Sequence, residues 1–244
     1  MVASILKLVS VGVSTLVSAP AMVATGPLRD GDIAYHLAQC WAAFNLWAFG
    51  INVRPRRLAA LHPNSPYIFM SNHRSQLDPL AVVAALPDFQ LRWVAKKELT
   101  GVPIFGWALQ SGGHIIIDRS DQRQAIATLR AAREQMLAGV SVVIFPEGTR
   151  SSDEQGLLPL KKGGFMLALE TGFPIVPVAI RGSHALLPKG SWHISEGDIE
   201  VVIGKPIDVA GSSREELMAR VRGFLQEHLD LPAASNGRPI AEAM

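Results

Sequence analysis

Tyr67-Ile68-Phe69-Met70-Ser71-Asn72-His73-Arg74-Ser75-Gln76-Leu77-Asp78-Pro79 opens as four apolar residues and closes on a polar turn before a proline. The pattern reads as a buried strand, a sharp exit and a helix start. Asp78 suits an N-cap, Pro79 the first helical position, and Leu80 to Leu86 continues the helix. Val142-Val143-Ile144-Phe145 repeats the pattern, breaking into Pro146-Glu147-Gly148-Thr149-Arg150-Ser151. Counted from Val140 to Phe145 that run is one strand, and others are expected at Leu91–Ala95, His114–Asp118, Ile175–Ile180 and Ile199–Ile203. Helical stretches lie between several of them, at Ser120–Ala138 and Gly163–Thr171, each stopped by a glycine. Ser213 and Glu216 form a capping box for a last helix carrying Leu217, Val221, Phe224 and Leu225. Alternation of this kind predicts an α/β domain, a mostly parallel sheet flanked by helices. Both polar turns then fall at C-terminal ends of strands, where open sheets bind ligands.

The turns carry groups that move protons and hold anions. Five residues on a helix sweep about 500°, so His73 and Asp78 meet only if His73 lies in the turn and Asp78 near the first helical turn. Held there, Asp78 accepts a hydrogen bond from one imidazole nitrogen and leaves the other free to take a proton from an alcohol. The same residues also suit a plain helix cap beside an ordinary turn residue. In the second turn Gly148 lets successive N–H groups point into one concavity, and Arg150 adds a fork for phosphate oxygens. Glu147 there fixes the arginine or the turn. A solvated surface turn fits that segment taken alone.

Taken in order, the segments resemble the glycerolipid acyltransferase family, and within it the lysophosphatidate acyltransferases. The family's first block, Asn-His-x4-Asp, falls on Asn72, His73 and Asp78. Its second, Gly-x-x-Phe-Ile-x-Arg, falls on Gly113, Ile117 and Arg119, with Ile116 in place of phenylalanine. Phe-Pro-Glu-Gly-Thr-Arg-Ser falls on Phe145 to Ser151, and Val-Pro-Val-x-Ile on Val176 to Ile180. The likeness runs from about Arg54 to Asp208. It implies transfer of a fatty acyl group from acyl-CoA or acyl carrier protein to the free hydroxyl of 1-acyl-sn-glycerol-3-phosphate, giving phosphatidic acid. It implies His73 and Asp78 as the catalytic pair, with Arg119, Glu147, Gly148, Thr149 and Arg150 around the acceptor phosphate. No metal and no resident cofactor is expected, the thioester being a co-substrate. Two rival expectations stay open: the same chemistry on glycerol-3-phosphate or a lyso-aminolipid, and a catalytically silent membrane module that binds lysolipid. Leu99 to Phe105 and Val176 to Ile180 are expected to line the acyl path or to pack in the core.

Composition narrows the rest. A chain of 244 residues, 48% of them hydrophobic, suits one domain with appendages. A net charge of +2 gives no basis for nucleic-acid binding. The single cysteine, Cys40, excludes an internal disulfide and a cysteine-based zinc cluster. No Gly-x-Ser-x-Gly elbow, P-loop or His-Glu-x-x-His occurs, which favours direct attack by the substrate over a seryl acyl-enzyme. Leu8–Thr25 and Ile33–Val53 lack Asp, Glu, Lys and Arg and approach the ~20 residues that span a bilayer. With the turn at Gly26–Gly31 they predict a membrane-anchoring helical hairpin at 1–53, ahead of a catalytic domain at 54–231 and a flexible tail at 232–244. Members of the resembled family carry such a helix pair, often sunk into one leaflet, which implies a monotopic anchor, while the polar positions within the pair suit an interfacial pair as well as two spans. Arg54, Arg56 and Arg57 follow at once, which places the catalytic face on the cytoplasmic side of the cell membrane. A cleaved secretory leader ending near Ser18-Ala19-Pro20-Ala21 is the competing reading of the first segment.

Overall fold

The computed structural model describes residues 2–26, 28–101, 105–117, 122–151 and 156–229; the expected tail at 232–244 lies outside them. The chain opens with helices α1 (Val2–Thr25) and α2 (Asp32–Phe49), then strands β1 (Ile51–Arg57) and β2 (Ile68–Ser71). Next come α3 (Asp78–Ala85), β3 (Leu91–Lys96), α4 (Phe105–Ser111), β4 (Ile115–Ile117) and α5 (Gln122–Leu137). The remainder is β5 (Ser141–Ile144), α6 (Gly163–Thr171), β6 (Ile175–Arg181), α7 (Ser183–Leu186), β7 (Gly197–Ile203) and α8 (Arg214–Leu229). The described strands form one sheet ordered β1-β7-β6-β2-β5-β3-β4. Strands β6, β2, β5, β3 and β4 run parallel. Strand β7 is antiparallel to β6, and β1 parallel to β7, so this edge pair runs against the rest.

The α/β alternation read from the sequence is present, with element ends moved by a residue or two. The capping box at α8 forms in both directions: Ser213 N–H donates to Glu216 Oε2 at 2.7 Å, and Glu216 N–H to Ser213 Oγ at 3.2 Å. Strand β1 was not expected, because three arginines and Pro55 disguise it. An edge strand tolerates both: proline lacks a donor that the outer edge does not use, and charge blunts the edge. Arg54 and Arg56 pair with Asp198 and Glu200 on β7, and Arg57 with Asp88.

Alternate strand residues feed two cores. Phe69, Val143, Val176, Val178, Ile180, Ile199 and Val201 face α2 and α3, while Ile68, Met70, Val142, Ile144, Ile175 and Ala179 face α5, α6 and α8. Strands buried on both faces read as continuous apolar runs, which is why the sequence showed them so plainly. Val176–Ile180 therefore belongs to the core. Residues 102–104 of the other expected acyl-path segment lie outside the described residues.

The two expected N-terminal helices form and pack on each other, but they meet the domain differently. Only Ser4–Thr25 is long and apolar enough to cross a membrane among the described residues. Helix α2 buries Tyr35, Ala42, Leu46 and Phe49 in the sheet's core, and the expected boundary at 53/54 falls inside β1. Helix α1 packs on α2 and α4. Asn45 is buried between α1 and α2, where Ser14 Oγ donates to its Oδ1 at 3.2 Å; Trp41 Nε1 donates to Thr15 Oγ1 at 3.2 Å. At about 1.5 Å per residue, α1 is roughly 36 Å long. Its start is held by Ser4 to His193 and by Lys7 to Phe49 O, and Gly26, just past its end, lies so close to the Ser111 carbonyl that no Cβ fits. Helix α1 is thus held at both ends against the same domain.

Candidate active site

Strands β2 and β5 are neighbours, yet their exits diverge. The chain leaving β2 enters α3, on the core face shared with α2; the chain leaving β5 leads to α6, on the opposite face. Such a divergence opens a crevice at the carboxyl ends of the two strands, the usual ligand position in open α/β sheets. Both polar turns read from the sequence stand there.

Asn72 lets the first turn leave the sheet. Its buried side-chain amide mimics a peptide: Nδ2 donates to Ile180 O at 2.9 Å, and Ile180 N–H donates to Oδ1 at 2.8 Å. The ladder to β6 is thus continued by a side chain while the backbone turns away, and the Ile180 N–H and carbonyl both keep a partner. Asp78 sits at the first position of α3 rather than capping it, the cap being Leu77. Its Oδ2 accepts the N–H groups of Arg74 at 2.6 Å and Ser75 at 2.8 Å, and meets His73 Nδ1 at 2.8 Å. A carboxylate only accepts, so Nδ1 carries the proton and Nε2 keeps its lone pair. The sequence expectation for the His73–Asp78 pair matches this geometry.

The second turn grips His73 from the other side. Gly148 adopts φ +71°, and its N–H donates to Phe145 O at 2.9 Å, closing the turn. Glu147 is buried, and its two oxygens are taken: Oε1 accepts His73 N–H at 2.8 Å and Oε2 accepts Leu158 N–H at 2.9 Å. Burial pushes its carboxyl upward, against the pull of those two bonds and of Arg74. Ser151 N–H donates to His73 O at 2.8 Å, so both peptide groups flanking the histidine's Cα are held. The Phe145 ring stacks on the imidazole with centroids 4.0 Å apart at 13°, and Trp93 stacks behind Phe145 at 5.5 Å.

Of the expected site residues, His73, Asp78, Glu147, Gly148, Thr149 and Arg150 stand together at this edge; Arg119 lies outside the described residues. Glu147, expected to fix the arginine or the turn, is placed as a brace of the turn, each of its oxygens accepting a backbone N–H. Thr149 is exposed and Arg150 half-buried. His114 does not serve the pair: its Nδ1 accepts Trp93 N–H at 3.1 Å, and burial with the Arg92 charge pushes its pKa down to about 3. Sequence reasoning gave Asn72 no role beyond its motif, and Lys189 none. Lys189 Nζ donates to Arg150 O at 3.0 Å from a loop with no motif of its own.

Comparison with known proteins identifies the family and the fold. A family model described as Acyltransferase matches residues 52–181. The chain is 32% identical over 204 residues to 1-acyl-sn-glycerol-3-phosphate acyltransferase BAT2, chloroplastic, of Brassica napus, covering 81% of this chain and 56% of that one. It is 32% identical over 174 residues to the Homo sapiens 1-acyl-sn-glycerol-3-phosphate acyltransferase alpha, covering 71% and 61%. The chain spans between about half and three-fifths of the length of these curated relatives. The crystal structure of the 1-acyl-sn-glycerophosphate (LPA) acyltransferase PlsC from Thermotoga maritima matches with a TM-score of 0.76 at 25% identity, over 93% of each chain.

Proposed function

The chain belongs to the acyltransferase family, and on that premise we propose that it moves a fatty acyl group from acyl-CoA or acyl carrier protein to the free hydroxyl of 1-acyl-sn-glycerol-3-phosphate. The product is phosphatidic acid. One observation carries the reading: the His73–Asp78 pair is locked to the Phe145–Ser151 turn, so a base and an anion cradle share one sheet edge. The acceptor phosphate binds the Gly148–Thr149 turn and Arg150, which aims the hydroxyl at His73 Nε2. Nε2 takes the hydroxyl proton as the oxygen bonds to the thioester carbonyl carbon, and Asp78 stabilises the imidazolium. The tetrahedral intermediate then collapses: the carbon–sulfur bond breaks, and the imidazolium returns its proton to the departing thiolate. The scheme calls for neither a metal nor a resident cofactor.

Relatives named for this acceptor support it over glycerol-3-phosphate or a lyso-aminolipid, and an assembled dyad supports turnover over lysolipid binding alone. The proposal also seats α1 in a membrane interface, because Leu6, Val9, Val13, Leu16 and Val17 are exposed along it. Arg54, Arg56 and Arg57 after the helix pair support the cytoplasmic leaflet, on the side where thiols stay reduced. The test is thiol release from acyl-CoA and from acyl carrier protein by the purified full-length protein. Lysophosphatidate is expected to trigger release together with phosphatidic acid. Release only with glycerol-3-phosphate or a lyso-aminolipid would move the acceptor, and none with any acceptor would leave a binding module.

A further inference from the structure

Trp47 and Trp192 are 76% and 77% exposed, and the fold brings them to one corner. Because β1 and β7 run against the five parallel strands, their paired first residues Ile51 and Gly197 stand at the edge where β2 and β5 end. That edge carries His73 and Arg150. Lys7, a buried lysine on α1, ties the corner together by donating to Phe49 O at 2.8 Å and Ile194 O at 3.4 Å, with Glu196 Oε1 at 3.2 Å. Trp47 and Trp192 each lie two residues before one of these carbonyls. The loop at 187–196 also holds the start of α1 through His193 Nδ1 and Ser4 Oγ at 2.8 Å, beside the exposed Ile5 and Leu6. Its other end reaches the reaction centre. Ser75 Oγ, in the His73 turn, donates to Leu187 O at 2.8 Å, and Lys189 Nζ donates to Arg150 O at 3.0 Å.

We propose that the 187–196 loop is a second bilayer contact, separate in sequence from the N-terminal helices, which seats Trp192 at the headgroup level and braces the two active-site turns. The proposal rests on the membrane seat argued above for α1. A lipid surface fits this loop for two reasons. An indole prefers the boundary between hydrocarbon and headgroups, and Lys189, exposed three residues away, complements anionic headgroups. The Ser4–His193 contact holds the loop beside the first turns of α1, where Ile5 and Leu6 are exposed, so a bilayer that receives the start of α1 also reaches the loop. Membrane docking then tightens a loop bonded to the His73 turn and to the Arg150 carbonyl, and the site is best assembled where its lipid acceptor resides.

Cys40 is the only cysteine, so Trp192→Cys on a Cys40→Ser background accepts a single environment-sensitive label in the full-length protein. Val17→Cys on the same background reports on α1. Both are mixed with phosphatidylcholine–phosphatidylglycerol vesicles, with and without brominated acyl chains. The label at position 192 is expected to shift to the blue and to be quenched by bromine. A response at position 17 with none at 192 would overturn the loop contact and leave the α1 seat standing; silence at both would remove both. For the coupling to the site, Trp192→Ala is expected to lower kcat/KM at least ~5-fold on vesicle-embedded acceptor and less than ~2-fold on a soluble short-chain acceptor, with Trp192→Phe recovering part of the loss. Equal losses on both acceptors would make Trp192 a plain support of the fold and overturn the coupling.

Discussion

His73 owes its position to contacts arriving from separate parts of the chain: Asp78 at Nδ1, Glu147 at its N–H, Ser151 at its carbonyl and Phe145 against its ring. His73→Ala should lower kcat at least ~100-fold, the low end for general-base catalysis, with acceptor binding little changed in equilibrium measurements. Asp78→Asn should also be severe, since an amide favours the wrong imidazole tautomer. Arg150→Ala should raise the acceptor's KM, and much less so for a lysolipid without a phosphate monoester; equal losses on both would move Arg150 out of the phosphate site. Glu147 separates two roles that its motif cannot. Glu147→Gln replaces one of its two acceptor oxygens with a donor, so a backbone N–H loses its partner, and a hydrogen bond to a charged group is worth ~1.5–3 kcal/mol. As a brace, Glu147 predicts a lowered unfolding midpoint and a fall in kcat, read by urea titration and steady-state kinetics. A raised acceptor KM at unchanged kcat and stability would return it to the phosphate. The sequence showed that this glutamate belongs to the site, but its partner His73 lies 74 residues away, and nothing local records that contact.

Two elements explain what the strand pattern could and could not disclose. Strands β2, β5 and β6 are buried on both faces, and their apolar runs announced them; β1 shows only its charged edge to the reader and was missed. Short helices such as α4 and α7 lack the two or more turns that make a 3.6-residue period visible. The seam between β3 and the start of β4 adds a titration that composition does not foretell. His114 closes that seam as a neutral acceptor for Trp93 N–H, with its pKa held down to about 3 by burial and by Arg92. A folded-state pKa below the unfolded value of about 6.5 means that the unfolded chain binds the proton first. The stability owed to neutral His114 is therefore complete above pH 6.5 and is lost as pH falls from there towards about 3. Glu147, whose carboxyl is raised by burial, acts in the opposite sense in acid. Comparing the protein with His114→Asn, which keeps an acceptor but does not titrate, isolates the histidine. The difference in urea unfolding free energy between them should shrink as pH drops below 6.5; a difference that is flat with pH would show that His114 is not held neutral.

At the scale of the whole molecule, apolarity alone does not distinguish a helix facing lipid from one facing protein, and α1 and α2 resolve that ambiguity in opposite ways. Helix α1 leaves Leu6, Val9, Val13 and Val17 exposed, whereas α2 sends Leu46 and Phe49 into the core beside Phe69 and Leu77. Deleting Met1 to Val53 would strip Leu46, Phe49 and Ile51 from that core and cut β1 in half. At ~1.5–3 kcal/mol for each buried side chain, the three alone account for roughly 5–9 kcal/mol. A domain's whole stability is ~5–15 kcal/mol, so this deletion should leave no cooperatively folded catalytic domain. Deleting only Met1 to Thr25 removes the exposed helix and keeps α2, β1 and every residue of the reaction centre. That shorter deletion should retain a cooperative, though lowered, melting transition by circular dichroism. It should fail to float with vesicles, and it should keep more activity on a soluble short-chain acceptor than on a vesicle-embedded one. Should the longer deletion instead melt like the full-length protein, α2 would be an appendage after all, and its contacts with the sheet would contribute little to stability.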